Sequence, residues 1–363
     1  MKVVKVRSPF LVEIGSQGSS HTGSKIVLTI WNSGESEPTA GQSGYYSLSK
    51  SNPSLTQKTT TYNVSNYVKE FIDNVKPNNY NLTTVAAEDV DEWCIFHVVS
   101  YWYNGTSYTA LTDNYYYGVN GFTNYSDGYQ NPSSSKLVLL ANPNINNYYY
   151  KSSFSDLKME YLNLLFDKLS TDSFTLKYER IDGTVYSTTQ NLLSGVAGTD
   201  NLKIPITPVI FDSNFVNGCK VTIILDTTVF IFYSYPIEEY KYTPVRCSFI
   251  NRFGGWKDII FFKQQINSVS VKNTNYKTNL ALIGQSKIIN VNGKQTIKLN
   301  TGWVNENFAE LVTDLLLSER VLLDEKPVTV KSQSFDLKSV LKDKMINYEV
   351  EFELDYNLIN DVI

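Results

Sequence analysis

From Ile346 to Tyr356 the chain alternates without a slip: Ile346, Tyr348, Val350, Phe352, Leu354 and Tyr356 face one way, and Asn347, Glu349, Glu351, Glu353 and Asp355 the other. A helical period would scatter these side chains around a cylinder, whereas the two-residue period of a strand sorts them cleanly. The pattern predicts a long antiparallel strand with one wet face, its carboxylates solvated or met by lysines on the neighbouring strand. Similar runs flank three turn signals: Asn104-Gly105 after HVVSYWY, Asp182-Gly183 between FTLKYERI and TVYSTT, and Asn292-Gly293 between KIINV and KQTIKL. Each predicts a hairpin, because a type I′ turn needs positive φ at both central residues. Asn217-Gly218, just before CKVTIIL, predicts a fourth turn.

Two segments follow the helical period instead. Over Ser65 to Val75 a serine N-cap precedes Tyr67, Val68, Phe71, Ile72 and Val75, with Pro77 beyond the end. Over Asn305 to Leu317 the stripe is Phe308, Leu311, Val312, Leu315 and Leu316, with Asn305 as the expected cap. Leu157 to Leu169 mixes both periods and stays open between helix and strand. The expected fold is mainly β: tandem antiparallel β-sandwich-like domains with a few covering helices. Turn-rich, polar sequence from Asn104 to Asn147 reads as a surface excursion or long loops, and YPIEEYKYTPV reads as a second joint. Three blocks follow, near residues 1–150, 151–243 and 244–363.

The stretch Phe249 to Gln265, FINRFGGWKDIIFFKQQ, places a glycine pair between two strand-like runs. A phosphate-cradling loop needs a helix directly after its glycines, and none is indicated here. Gly254 and Gly255 therefore read as turn residues, with Arg252, Phe253 and Trp256 as candidate contact residues at the turn.

Composition narrows the function. With 363 residues, 42% of them hydrophobic, the chain is long enough for ordinary cores. A net charge of -4 offers no long-range attraction to phosphate backbones or anionic lipid, so neither nucleic acid nor membrane is an expected partner. No apolar run reaches signal-peptide or membrane-helix length, which predicts a soluble product made in the cytoplasm. Cys94, Cys219 and Cys247 are scattered in strand-like surroundings and read as buried structural thiols.

Chemistry is sparse. The two histidines are His21, in a Gly/Ser turn, and His97, within the strand WCIFHVVSYW. Two histidines and unclustered cysteines do not compose a zinc set or a Cys-His pair, and no phosphate-binding or nucleophile-elbow motif is present. Glu88, Asp89, Asp91 and Glu92 form the densest acid cluster, which a glycosidase could use only if two of them converged across a groove. The expectation is a non-enzymatic protein with no cofactor and no metal. The 26 tyrosines carry more information, clustering at Tyr115, Tyr116, Tyr117, Tyr125 and Tyr129 and again at Tyr148, Tyr149 and Tyr150. Tyrosine combines a large contact area with a polar tip and little rotamer entropy, which suits protein interfaces and sugar-stacking platforms alike.

The C-terminal third adds a resemblance. YKYTPVRCSFINRFGGWKDIIFFK, LNTGWVNENFAELVTDLLLSERVLL, PVTVKSQSF and DKMINYEVEFELDYNLIND together resemble structural proteins of tailed phages and prophages of Bacteroidota, including crAss-like phages. SPFLVEI followed by YNVSNYVKEFI is similar to the start of those proteins. The resemblance covers about half the chain, is weakest between Leu82 and Gln190, and carries over no functional residue. It implies a virion component of the tail, neck ring or baseplate, partnered by copies of itself and by other virion proteins. A glycan- or receptor-binding module is the alternative.

Overall fold

In the computed structural model, residues 1–52, 54, 56, 58–72, 86–87, 92–145, 147–151, 161–169, 173–191, 198–205, 218–237, 241–277, 286–332 and 345–359 are described. The fold is mainly β and sandwich-like, as the alternation predicts. The first elements are β1 (Val3–Lys5), β2 (Leu11–Ile14), β3 (Gly23–Asn32), β4 (Tyr45–Ser51), β5 (Thr60–Asn63) and α1 (Ser65–Lys69). There follow β6 (Ala86–Ala87), β7 (Trp93–Tyr103), β8 (Tyr108–Val119), β9 (Leu137–Leu139), β10 (Asn147–Lys151), β11 (Tyr161–Lys168) and β12 (Ser173–Arg180). Next come β13 (Val185–Asn191), β14 (Gly198–Pro205), β15 (Cys219–Leu225), β16 (Thr228–Ile237), β17 (Val245–Ile250) and β18 (Trp256–Phe261). The last are β19 (Ile266–Lys277), β20 (Ser286–Asn305), α2 (Phe308–Leu316), β21 (Val321–Leu323), β22 (Lys326–Val330) and β23 (Met345–Asn357).

The contacts group into two compact units interleaved along the chain. One unit holds residues 1–146, 159–234 and 250–256; the other holds 147–158, 235–249 and 257–363.

The first unit is built on the sheet β1-β8-β7-β3-β4, antiparallel except where β1 runs parallel to β8. One face of it carries Ile26, Leu28, Ile30, Cys94, Phe96 and Val98, packed beneath Ile14, Tyr62, Val64 and Val68 of the β2–β5 pair and α1. A second cluster on the same sheet joins Trp93 and Val119 to Leu140 and Leu165, the latter on β11 of the sheet β6-β14-β11-β9. Strands β13, β12, β15 and β16 run side by side in antiparallel order.

The second unit centres on a sheet ordered β18-β17-β21-β22-β23-β20-β19. The closing strand behaves as its alternation predicts: Ile346, Tyr348, Val350, Phe352 and Leu354 are buried, while the chain leaves the core at Tyr356. Lysines answer its acids across the strands, with Lys294 2.7 Å from Glu353, Lys331 3.8 Å from Glu351, and Lys298 paired to Glu349. Within this unit Arg246 donates from Nε to Asp258 Oδ2 at 2.6 Å, and its Nη2 pairs with the same oxygen, both side chains being nearly buried.

Local readings divide. Hairpins form at Asn104-Gly105 and Asp182-Gly183, each over a four-residue loop with only the glycine at positive φ (94° and 83°). Gly218 also has positive φ, 84°, while Asn217 lies outside the described residues. No turn forms at Asn292-Gly293, which lies inside the 20-residue β20 with Gly293 paired to Val271. A two-residue turn with both central residues at positive φ lies instead at Asp324-Glu325, where φ is 44° and 70° between Leu323 and Lys326.

Helix α1 is five residues long rather than eleven, and Ser65 is not its cap but its first helical residue. The Ser65 hydroxyl accepts from Phe10 N–H at 2.7 Å and donates to Ser8 C=O at 2.7 Å, so it fastens the N-terminal segment to the helix. Val75 and Pro77 lie outside the described residues. Helix α2 begins at Phe308, because Asn305 is still the last residue of β20. Its predicted stripe is buried at Phe308, Leu311, Val312 and Leu315. Of the ambiguous segment, Tyr161 to Lys168 is a strand. All three cysteines are buried and none is in a disulfide.

Candidate functional site

The tyrosines expected in a loop at residues 115–117 sit on β8, and the two-residue period splits them. Tyr116 points into the core, stacked on Phe96 with ring centroids 5.2 Å apart, and edge-on to Phe10 at 5.0 Å. Tyr117 packs with Trp93, centroids 5.8 Å apart. Tyr115 alone stands on the open face of the sheet, 49% exposed. Tyr116 is partly buried against its own core, and Trp256 is buried. Tyr125 and Tyr129 do lie on the surface, beside a short 3-10 turn at Tyr125–Asp127. Tyr148, Tyr149 and Tyr150 lie on β10, and their side chains fall outside the described set.

Tyr115 belongs to a polar cluster that the linear sequence does not announce. The imidazole of His97, on the adjacent β7, lies parallel to the Tyr115 ring at a centroid distance of 4.0 Å. His97 Nδ1 is 2.7 Å from Glu37 Oε1, and Nε2 is 2.6 Å from Asp113 Oδ1. Glu37 comes from the loop between β3 and β4 and also accepts from Thr29 Oγ1 at 2.7 Å and Tyr115 OH at 3.4 Å. Two strands and one loop are thus cross-linked through a single ring, and Thr29 of β3 joins them through Glu37. Burial raises the pKa of Glu37, but hydrogen bonds from His97 and Thr29 and the His97 charge outweigh it, so the carboxyl sits below its ordinary value. The Tyr115 phenol is pushed up, first by burial and then by the Glu37 and Asp113 charges.

Chemically the cluster is a clamp. Both ring nitrogens are taken up by carboxylates on opposite sides, so neither is turned toward solvent as a general base, and the carboxylates do not converge on a shared point. A neutral imidazole has one N–H and satisfies one of the two acids; the protonated ring satisfies both. Among the described residues no group of three His, Cys, Asp or Glu is arranged to hold a metal ion. Of the acid cluster, Glu92 is buried and Glu88, Asp89 and Asp91 lie outside the described residues.

Beside the clamp the β3–β4 loop encloses a depression of about 650 Å³, lined by Trp31, Asn32, Glu35, Ser36, Gln42 and Phe71 among others. Trp31 sets its ring edge-on to Tyr115 at 6.3 Å, which joins the depression to the aromatic sheet face.

The glycine pair has its answer in the same unit. Asn251 folds the turn, its Oδ1 accepting from Phe253 N–H at 2.8 Å and Gly255 N–H at 3.2 Å while its Nδ2 donates to Leu140 C=O at 3.0 Å. Gly254 has φ 92°, and a Cβ there would stand 2.8 Å from Val119 Cβ. A Cβ at Gly255 would collide with the Leu140 carbonyl. Facing them, a Cβ at Gly121 would come within 2.6 Å of Arg252 C=O. Backbone packs on backbone here, and the turn is structural. Arg252 and Phe253 keep partial exposure, and Lys5 Nζ sits 4.4 Å from the centre of the Phe253 ring.

No protein-family model matches this chain, and no curated protein matches it either.

Proposed function

We propose that this protein is a non-enzymatic structural subunit of a tailed phage virion, belonging to the tail, neck ring or baseplate, and that it assembles through its β units and aromatic surfaces. The observation that carries the reading is the open sheet face of β3, β7 and β8. There Tyr115 is exposed and His97 half-buried, the two held rigid by Glu37 and Asp113, with the buried Trp31 edge-on to Tyr115. A preorganised aromatic surface loses little rotamer entropy on docking, which is what a subunit packed against neighbours requires. The motif resemblance of the C-terminal third supports the same assignment.

The test is composition. Tailed particles from cells that carry this sequence are purified on a density gradient and analysed by mass spectrometry. The reading expects the protein at a fixed copy number per particle, and its absence from intact particles would sink it.

One observation favours a second reading, a surface-glycan or receptor-binding module. The depression beside Trp31 combines an indole with amide, hydroxyl and carboxylate groups, the pairing that sugar recognition uses. A glycan array with Trp31→Ala as the control variant separates the two readings.

A further inference from the structure

We propose that the β19–β20 ribbon of the second unit is an assembly arm whose apolar face docks, head to tail, on the body of a second copy of this chain. This deepens the structural-subunit reading and rests on it.

The ribbon is long and thinly supported. All twelve residues of β19 are exposed, as are the first six of β20, and β19 is the edge of its sheet. A two-stranded ribbon in water is marginal without something to cover one face. Its two faces differ sharply. Paired residues share a face, and the register Val269↔Gln295, Val271↔Gly293, Asn273↔Val291 and Asn275↔Ile288 collects the aliphatic side chains on one side. There Val269, Val271 and Ile288 are 58%, 59% and 59% exposed.

Gly293 lies in the middle of this stripe, and Leu358 lies over it: a Cβ on Gly293 would be 3.4 Å from Leu358 Cδ1 and 3.6 Å from Val269 Cγ1. The segment holding Leu358 is tied down by Leu358 N–H donating to Gly293 C=O at 2.8 Å and Ile359 N–H donating to Asn292 Oδ1 at 3.1 Å. The opposite face carries Ser268, Ser270, Lys272, Lys287 and Lys294, with Ile266 and Tyr276 toward its two ends. An exposed aliphatic stripe concentrated on one face, with Ile289 at the bulge beside it, is the sign of a surface that is covered in use.

Charge identifies the occupant. Residues 266–294 contain four lysines, of which Lys294 is already paired to Glu353, and no acid, while the whole chain carries -4, so everything outside the arm carries -8. Two arms repel each other, and each is drawn to the acidic body of another copy. Lysines on an exposed strand also discourage edge-to-edge pairing, so association runs through the aliphatic face rather than by adding a strand to β19. An arm that docks on a different surface of the next copy makes a heterologous contact, the kind that closes into rings.

The experiment is light scattering over a concentration series on the full chain, alone and as the Val271→Asp/Ile288→Asp variant, with circular dichroism and thermal unfolding to show that the exposed substitutions leave the fold intact. A third sample, Gly183→Ala, changes an exposed turn in the other unit and serves as control. The expected result is a defined oligomer for the parent chain and the control, weakened about tenfold or more in the arm variant and weakened by added salt. A parent chain monomeric up to about 100 µM, or an arm variant that associates as the parent does, overturns the inference. Particles that contain the protein while arm variants still associate would remove the arm and leave the virion assignment standing. Loss of oligomers in the arm variant of a protein absent from particles would do the reverse.

Discussion

The imidazole of His97 lies flat against the phenol ring of Tyr115, centroids 4.0 Å apart and planes 7° from parallel, with one carboxylate at each ring nitrogen. The stack sits on the solvent side of the central sheet, and its acids come from positions 60 and 16 residues away in sequence. The ring therefore couples a loop to two strands.

Glu37 makes that coupling measurable. Its folded pKa lies below the ordinary 4.5. Its contribution is therefore complete above the unfolded value and is lost as pH falls through the lower, folded one. Urea unfolding at pH 7 should find Glu37→Gln less stable by about 0.5 to 1 kcal/mol, after allowance for the screening of a partly exposed group. The difference should narrow as the pH falls below 4.5. A gap that persists in acid would mean that the amide fails for reasons of packing.

Lys257 sets a slope at the other end of the pH scale. Burial pushes its ammonium down to about 7 even though Asp258 pulls it up. Between that value and 10.5 the unfolded chain binds the extra proton, so stability should rise with pH across this window. Unfolding measured from pH 7 to 8, below the range where the thiols of the unfolded chain ionise, should show that rise in the parent chain. Lys257→Met should flatten it, and an unchanged slope would locate the effect elsewhere.

Arg246 and Asp258 form a nearly buried pair with two contacts to one oxygen. Asp258→Asn leaves the guanidinium without its counter-charge and should cost about 3 to 5 kcal/mol. The double variant Arg246→Met/Asp258→Leu should recover much of that loss in chemical denaturation. Equal losses in single and double variants would show that the pair matters as a hydrogen-bonding scaffold rather than as two charges.

Gly255 has no room for a methyl group against the Leu140 carbonyl. Gly255→Ala should cost about 2 to 4 kcal/mol, since backbone must move. Gly183→Ala meets nothing within 4 Å and should cost about 1 kcal/mol from its positive φ alone. Comparable thermal shifts in the two variants would refute the close-packing account of the FGGW turn.

The thiols give a direct check on burial. Cys94 and Cys219 are pushed up to about 12 by desolvation, and Cys247 is also buried. Native protein should not react with a disulfide reagent at pH 8, and three thiols should appear on unfolding. Reaction in the native state would indicate local opening of these strands.

What the sequence determined by itself is what local periodicity encodes. The alternation of Ile346 to Tyr356, the strand flanks of Asn104-Gly105 and Asp182-Gly183, the stripe of α2 and the burial of the three cysteines can all be read within a dozen residues, because side-chain period and turn conformation are short-range properties. Tertiary structure decided whatever depends on a distant partner. Asn292-Gly293 carries a hairpin signal, yet it runs straight through β20 because Val271 pairs beside it and Leu358 lies over it, and that pairing outweighs a turn preference of about 1 kcal/mol. Ser65 reads as a cap, but Phe10 and Ser8 claim its hydroxyl. Tyr115, Tyr116 and Tyr117 look alike in a row, and the pleat of β8 sends one to the surface and another into the core. The clamp on His97 was the least legible feature, because Glu37 becomes its neighbour only when β3, β7 and β8 lie side by side.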